Sequence, residues 1–281
     1  MFDKDRLKRI KLIVADLDGT LLNNAGNISG KTKELISKLQ ELGVIFSFAS
    51  GRLDSAMLDL AKELNIKAPV ISLDGSLIRT FPNGKIIFQS HIPVKYVKKV
   101  LGLADKFLLN IALCHAEAIY FTERNSTIPQ LMPKFGAKYT EVVSYENYFE
   151  NVLEIAIASN YKDNIKYVHD RMNFPYTFGL NTSYFKSINN HGIYYLEIRN
   201  NGANKGKSLI KLTKHLKINL KETAVIGDWY NDISLFHPKA LKVTLINSIP
   251  ELRKLADIIV NKDNNEEGAA EFLEMVWKAK A

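Results

Sequence analysis

A chain of 281 residues, 46% hydrophobic and 24% charged, has the composition of an ordinary folded protein with apolar side chains for one large or two average domains, which excludes disorder. Its net charge of +8 is spread along helical stretches such as "KYVKKVL" and "KLTKHLK", which read as solvated faces, and this argues against a nucleic-acid surface. No apolar run approaches the ~18 residues of a membrane span, no leader-like segment is visible at the start, and the single cysteine, Cys114, forms no internal disulfide; the expectation is a cytoplasmic protein.

In chain order, "KLIVAD" (11–16) predicts a buried strand, and "SGKTKELISKLQELG" (29–43) predicts a helix opened by Ser29 and stopped by Gly43. "VIFSFAS" (44–50), a helix over 53–64 and "PVISLD" (69–74) continue the alternation, which implies a parallel sheet with covering helices. "SLIRTFPNGKIIFQS" (76–90) reads as a hairpin around Asn83-Gly84. From 82 to 190 the order is mixed: a helix after Pro93, strands near 110–122 and 152–158, a helix near 161–172, and strands near 176–188. This stretch is read as an α+β domain inserted into a core formed by 1–81 and 191–281, with "GIYYLEIR" (192–199) at the border. The core resumes with a helix over 204–217, the strand "TAVIGD" (223–228), a further helix, the strands "LKVTLI" (241–246) and "ADIIV" (256–260), and a closing helix over 266–278. The expected fold is α/β, a doubly wound, Rossmann-like parallel sheet with an inserted α+β cap.

In open parallel sheets ligands bind beyond the carboxyl ends of the strands. There the proposed strands carry "DLDGT", "SGR", "DG" and "GDWYND", which gather Asp16, Asp18, Asp228 and Asp232 on one edge. Four carboxylates in one place raise each other's pKa values unless a cation intervenes. A hard divalent ion such as Mg²⁺, completing its shell with water and phosphate oxygens, fits that need. Taken singly, an Asp-rich turn after a strand is commonplace, and "SGR" or "GDxxND" is loop chemistry. It is the order and the strand-end placement of all the pieces that carry the argument.

Asp16-Leu17-Asp18-Gly19-Thr20, Ser50-Gly51-Arg52, Lys205-Gly206 and Gly227-Asp228-Trp229-Tyr230-Asn231-Asp232 together resemble the four-motif signature of the haloacid dehalogenase superfamily. The large insertion between the second and third motifs is similar to that of its Cof-like sugar-phosphatase branch. The resemblance implies that Asp16 is the nucleophile, forming an aspartyl-phosphate, and that Asp18 is the general acid and base. It further implies that Ser50, Gly51, Lys205 and Asn231 hold the phosphate, with Lys205 adding charge stabilisation. Mg²⁺ would sit on Asp16, the Asp18 main-chain carbonyl and Asp228, supported from behind by Asp232. The implied substrate is a small phosphorylated metabolite, sugar phosphates first.

Some positions depart from the pattern. Asp74-Gly75 stands where many relatives have Asn-Gly, and a tight turn accounts for it. Trp229 and Tyr230 are bulky for a metal loop and are expected to pack inward. "GANKGKS" (202–208) resembles a nucleotide-binding P-loop but has three residues between Gly202 and Gly206 where that motif has four. A phosphomannomutase-like phosphotransferase and a non-catalytic binding relative are the alternatives, although all the acids of the signature are present. The six histidines show no ligand spacing, and Cys114 reads as a core side chain.

Overall fold

The computed structural model of the protein describes residues 4–81, 84–131, 138–187 and 192–281. A short helix α1 (Lys4–Lys8) precedes β1 (Leu12–Ala15), α2 (Gly30–Glu41), β2 (Ile45–Phe48), α3 (Leu58–Glu63), β3 (Val70–Ser72), β4 (Leu77–Arg79) and β5 (Ile86–Gln89). Next come α4 (Val94–Lys106), β6 (Asn110–Cys114), β7 (Ile119–Thr122), α5 (Ile128–Leu131), β8 (Tyr139–Val142), β9 (Glu154–Ser159), α6 (Lys162–Arg171), β10 (Leu180–Lys186) and β11 (Tyr194–Asn200). The last elements are α7 (Lys205–Leu216), β12 (Thr223–Ile226), β13 (Leu241–Leu245), α8 (Pro250–Leu255), β14 (Ile258–Val260) and α9 (Gly268–Lys280). They fold as two compact units, one of Met1–Gly51, Leu58–Phe88 and Asn204–Ala281, the other of Arg52–Met57 and Gln89–Ala203. Among the described residues no helix is long and apolar enough to cross a membrane.

In the first unit five parallel strands run in the order β14-β13-β12-β1-β2. All four residues of β1 are buried, as an apolar strand covered on both faces requires. Leu12 and Val14 share a core cluster with Leu209 and Leu212 of α7 and Leu252 of α8. Ile13 and Ala15 therefore serve the opposite face, on the side where α9 packs on α2, β13 and β14. Helices on both faces make the sheet doubly wound. α2 starts where the Ser29 hydroxyl accepts a hydrogen bond from Thr32 N at 3.1 Å, and buries Leu35, Ile36 and Leu39 as one stripe. β3 meets β2 through the parallel bridge Ala49–Ile71 and pairs antiparallel with β4, itself the neighbour of β5. Asn83, in the expected hairpin turn, lies outside the described residues.

The second unit is a six-stranded sheet in the order β10-β11-β9-β6-β7-β8, antiparallel except for the β7–β8 pair. Strand alternation divides its chemistry. Ile155, Ile157, Leu196 and Ile198 join Val97 and Val100 of α4 and Ile165 and Val168 of α6 in one core cluster. The other face carries Glu154, Glu197 and Arg199, all buried. Register places Arg199 opposite Glu154, and the guanidinium bonds Glu154 Oε2 and Glu197 Oε2, each at 2.6 Å. Burial first, then Glu154 and Glu197, push the Cys114 thiol well above its ordinary value, so it stays a protonated core side chain.

Several features differ from the sequence reading. The expected divisions at 82 and 190 fall on residues outside those described, whereas the units divide at Phe88/Gln89 and Ala203/Asn204. β11 belongs to the second sheet because it pairs along its length with both β10 and β9. Between β12 and β13 there is no α-helix but a 3-10 turn at Tyr230–Asp232, since the Asp232 carboxylate accepts the Asp228 and Trp229 amides and Pro238 has no N–H to extend a helix. The helix of this region, α8, instead follows β13 with Pro250 in its first turn. β8 and α5 are further elements that no sequence pattern predicts.

Replacing Arg199 by Met strands two buried carboxylates, and the expected loss is about 3–5 kcal/mol of unfolding free energy in urea titration. A loss below ~1 kcal/mol would mean that the triad is dispensable to this sheet.

Candidate active site

β1 and β12 are parallel neighbours in register, Ala15 beside Ile226, so the residues that follow each strand emerge at one edge. Asp16 is the first beyond β1, its amide donating to Ile226 O at 2.9 Å, and Asp228 is the second beyond β12. The turn after Asp16 brings Gly19 so close to Asp228 that a Cβ there would overlap Asp228 Oδ2; its φ of +80° is also one that glycine adopts freely. Lys205 opens α7 behind the cap Asn204, whose side chain accepts from Lys207 N at 2.7 Å. The next residue, Gly206, lies against Ser234 O with no room for a side chain, and that contact fixes the start of α7.

The fully buried Lys205 ammonium bonds Asp16 Oδ1 and Asp232 Oδ1, each at 2.6 Å, with Asp74 Oδ1 at 3.9 Å. Asp232 Oδ2 accepts the amides of Asp228 and Trp229 at 3.0 and 3.1 Å. Asp228 Oδ1 accepts from the Thr20 hydroxyl at 2.8 Å, and Asn247 Nδ2 donates to Gly19 O at 2.9 Å. Ser50 is buried beside the β3 end, donating its amide to Ile71 O and accepting the Asp74 amide, both at 3.0 Å. Gly51 follows it. Asn231 is exposed and donates to Asp74 Oδ1 at 2.9 Å. Asp18 is exposed on the β1 turn, and its charge is felt at Asp228.

Acids outnumber cations here, and the titration behaviour follows. Burial pushes the Asp16 carboxyl well above its ordinary value, opposed by Lys205 and reinforced by Asp232 and Asp228. Asp228 is pushed up to about 7, by burial first and then by Asp232. Burial alone would lower the Lys205 pKa; Asp16 and Asp232 outweigh it and hold the ammonium above the usual lysine value.

Asp16, Asp228 and Asp232 offer carboxylate oxygens that all lie within 4.8 Å of one another. Hard oxygen donors with an excess of buried negative charge suit a divalent cation such as Mg²⁺. Asp232 has already committed one oxygen to Lys205 and the other to two amides, so Asp16 and Asp228 are the better donors.

The structure brings Asp16, Lys205, Asp228, Asp232 and Asn231 together, with Ser50 and Gly51 on the adjoining strand end. Two expectations change. Trp229 and Tyr230 do not pack inward: they are 51% and 55% exposed, in edge contact at 5.5 Å, because the Asp232 cap turns this stretch outward. Asp74 does more than make a turn, because its left-handed backbone (φ 48°, ψ 32°) delivers the carboxylate to Asn231 and Lys205. Thr20 and Asn247 received no role in the sequence reading. Thr20 was signalled by its place in "DLDGT", whereas Asn247 had no sequence signal.

A family model described as haloacid dehalogenase-like hydrolase matches residues 13–273. The 5-amino-6-(5-phospho-D-ribitylamino)uracil phosphatase YwtE of Bacillus subtilis is 26% identical over 295 residues, covering 95% of this chain and 98% of its own. A haloacid dehalogenase-like hydrolase from Bacteroides thetaiotaomicron superposes with a TM-score of 0.83 at 25% identity, covering 95% of this chain and 99% of the other. A sugar phosphatase of HAD subclass IIB shares the fold, with a TM-score of 0.77 at 20% identity over 94% of this chain and 98% of its own.

A carboxyl whose pKa rises on folding stabilises the fold while it is protonated. The Asp228 contribution is therefore full below the unfolded value of ~3.9 and is lost as pH climbs through about 7. In metal-free protein, urea titrations should show stability declining across this window, and Asp228→Asn should reduce the decline. An unchanged slope in the variant would remove Asp228 as its source.

Proposed function

The chain belongs to the haloacid dehalogenase-like hydrolases and is a phosphatase, and on that premise we propose that it is a Mg²⁺-dependent phosphomonoesterase acting through an aspartyl-phosphate on Asp16. The observation that carries this reading is the Lys205 ammonium held by Asp16 and Asp232, with Asp228 beside them. Asp16 Oδ attacks phosphorus, the bond to the leaving oxygen breaks, and Asp18 gives that oxygen its proton. Water then attacks the same phosphorus, Asp18 takes its proton, and the bond to Asp16 breaks to release phosphate. Lys205, the Ser50 hydroxyl, the Gly51 amide and Asn231 hold the phosphoryl oxygens as charge shifts among them. Asp232 keeps Lys205 charged and directed at Asp16, and through two amides it fixes the backbone of Asp228. Asp16, Asp228 and the Asp18 main-chain carbonyl would hold Mg²⁺, which neutralises phosphoryl charge when bound.

The substrate we assign is a small phosphorylated metabolite, with sugar phosphates first. Support comes from relatives: one is named for a phosphorylated ribityl compound, another for sugar phosphates. Choice among such substrates falls to the inserted unit, the cap of the sequence reading.

With a generic aryl phosphate and Mg²⁺ the protein should release phosphate, chelator should stop it, and Asp16→Asn should lower kcat at least ~10³-fold, the scale expected when a nucleophile is removed. Rapid quench and mass spectrometry should find a phosphoryl adduct on Asp16. Turnover that survives Asp16→Asn would exclude the covalent route.

A further inference from the structure

We propose that the Asp74 carboxylate is an internal anion that takes up the phosphate-binding donors of the free protein, so that Asp74 weakens the hold on the phosphoryl group and on the phosphate product; the idea rests on the phosphatase reading above. One hydrogen bond and two close neighbours define its place. Asp74 Oδ1 accepts a hydrogen bond from Asn231 Nδ2 at 2.9 Å and stands 3.9 Å from Lys205 Nζ. A methyl group on Gly51 would lie 3.4 Å from the same oxygen. Asn231, Lys205 and Gly51 are three of the groups assigned to the phosphoryl oxygens. A carboxylate and a phosphoryl group seek the same charged and N–H donors, so their claims conflict.

The carboxylate is held there by its backbone. Leu73 and Asp74 both have positive φ, at 46° and 48°, and at Asp74 the left-handed backbone is one that glycine adopts freely and that Asp and Asn adopt more readily than other side chains. The Asp74 amide donates to Ser50 O at 3.0 Å, and the Ser208 hydroxyl donates to Gly75 O at 2.8 Å, so the turn is tied both to the strand that carries Ser50 and to α7. The side chain is 14% exposed, which limits the solvent that would screen its charge.

A merely positioning role makes the opposite prediction. If Asp74 served only to complete the turn or orient Asn231, Asn at 74 would do both, and phosphate affinity would stay level or fall. If Asp74 competes, removing its charge weakens the hold on Asn231, leaves Lys205 with one acid fewer nearby and abolishes a repulsion against the phosphate. The functional return of the competing arrangement is release: inorganic phosphate leaves a site that refills its donors from within.

The test is calorimetric titration of inorganic phosphate into Mg²⁺-loaded wild type, Asp74→Asn and Asp74→Gly, with kcat and KM for an aryl phosphate measured alongside. Both variants tolerate the left-handed backbone, so Asp74→Gly serves if Asp74→Asn fails to fold. The expected result is phosphate binding roughly tenfold tighter in the variants, with a lower KM, as fits loss of a partly screened like charge close to the phosphate. The gap from wild type should narrow as salt is added. Normal wild-type turnover with phosphate affinity unchanged or weaker in both variants overturns the proposal alone. A wild type that neither turns over nor binds phosphate overturns the phosphatase reading and this proposal together.

Discussion

A single ammonium buried among carboxylates sets the terms for the first unit. Lys205 cannot be desolvated without Asp16 and Asp232, and those acids cannot be buried without Lys205, because an unpartnered charge in the interior costs several kcal/mol. The three groups come from the end of β1, the start of α7 and the turn after β12, so the ion cluster ties together segments far apart in the chain. The close approaches follow from it. Gly206 against Ser234 and Gly227 against Asp232 leave no space for a Cβ, since the backbones must come near enough for two short acids and one lysine to meet.

The cluster holds an excess of acid, as the buried triad of the second unit does; what sets it apart is the place of its acids, past the carboxyl ends of parallel strands. In the second unit Arg199 divides its donors between Glu154 and Glu197 as a buried pairing on a sheet face. Around Lys205 the acids follow the ends of β1 and β12, and burial raises the pKa values of Asp16 and Asp228. A site that is stable when protons or a cation are present, and strained when neither is, carries in its fold a demand for positive charge.

Much of this was legible in the sequence because it is local. Apolar runs ending in acids mark β1 and β12, and "DLDGT" and "GDWYND" mark the acids that meet around Lys205 and Asp228. The Ser29 cap and Gly43 stop bounded α2. What escaped depends on contacts between distant segments. Nothing in "SLDGS" tells that Asp74 reaches Asn231 or Lys205, since an Asp-Gly turn alone explains those letters. The Arg199–Glu154 pair needs the register of β11 against β9, strands separated by a helix and another strand. Trp229 and Tyr230 were assigned inward by their size, but the neighbouring Asp232 already claims the backbone amides that direct the loop.

The pairing of β1 with β12 also bears on how the chain is made. During synthesis Leu12–Ala15 emerges early, but one of its two flanking strands, Thr223–Ile226, follows some two hundred residues later. Until then the strand that carries Asp16 has a hydrogen-bonding edge with no native partner, while the second sheet, built wholly from residues between them, can already be complete. The ribosome thus delivers a finished insert before the enclosing sheet can close, and the risk of mispairing concentrates on an apolar edge strand during that interval.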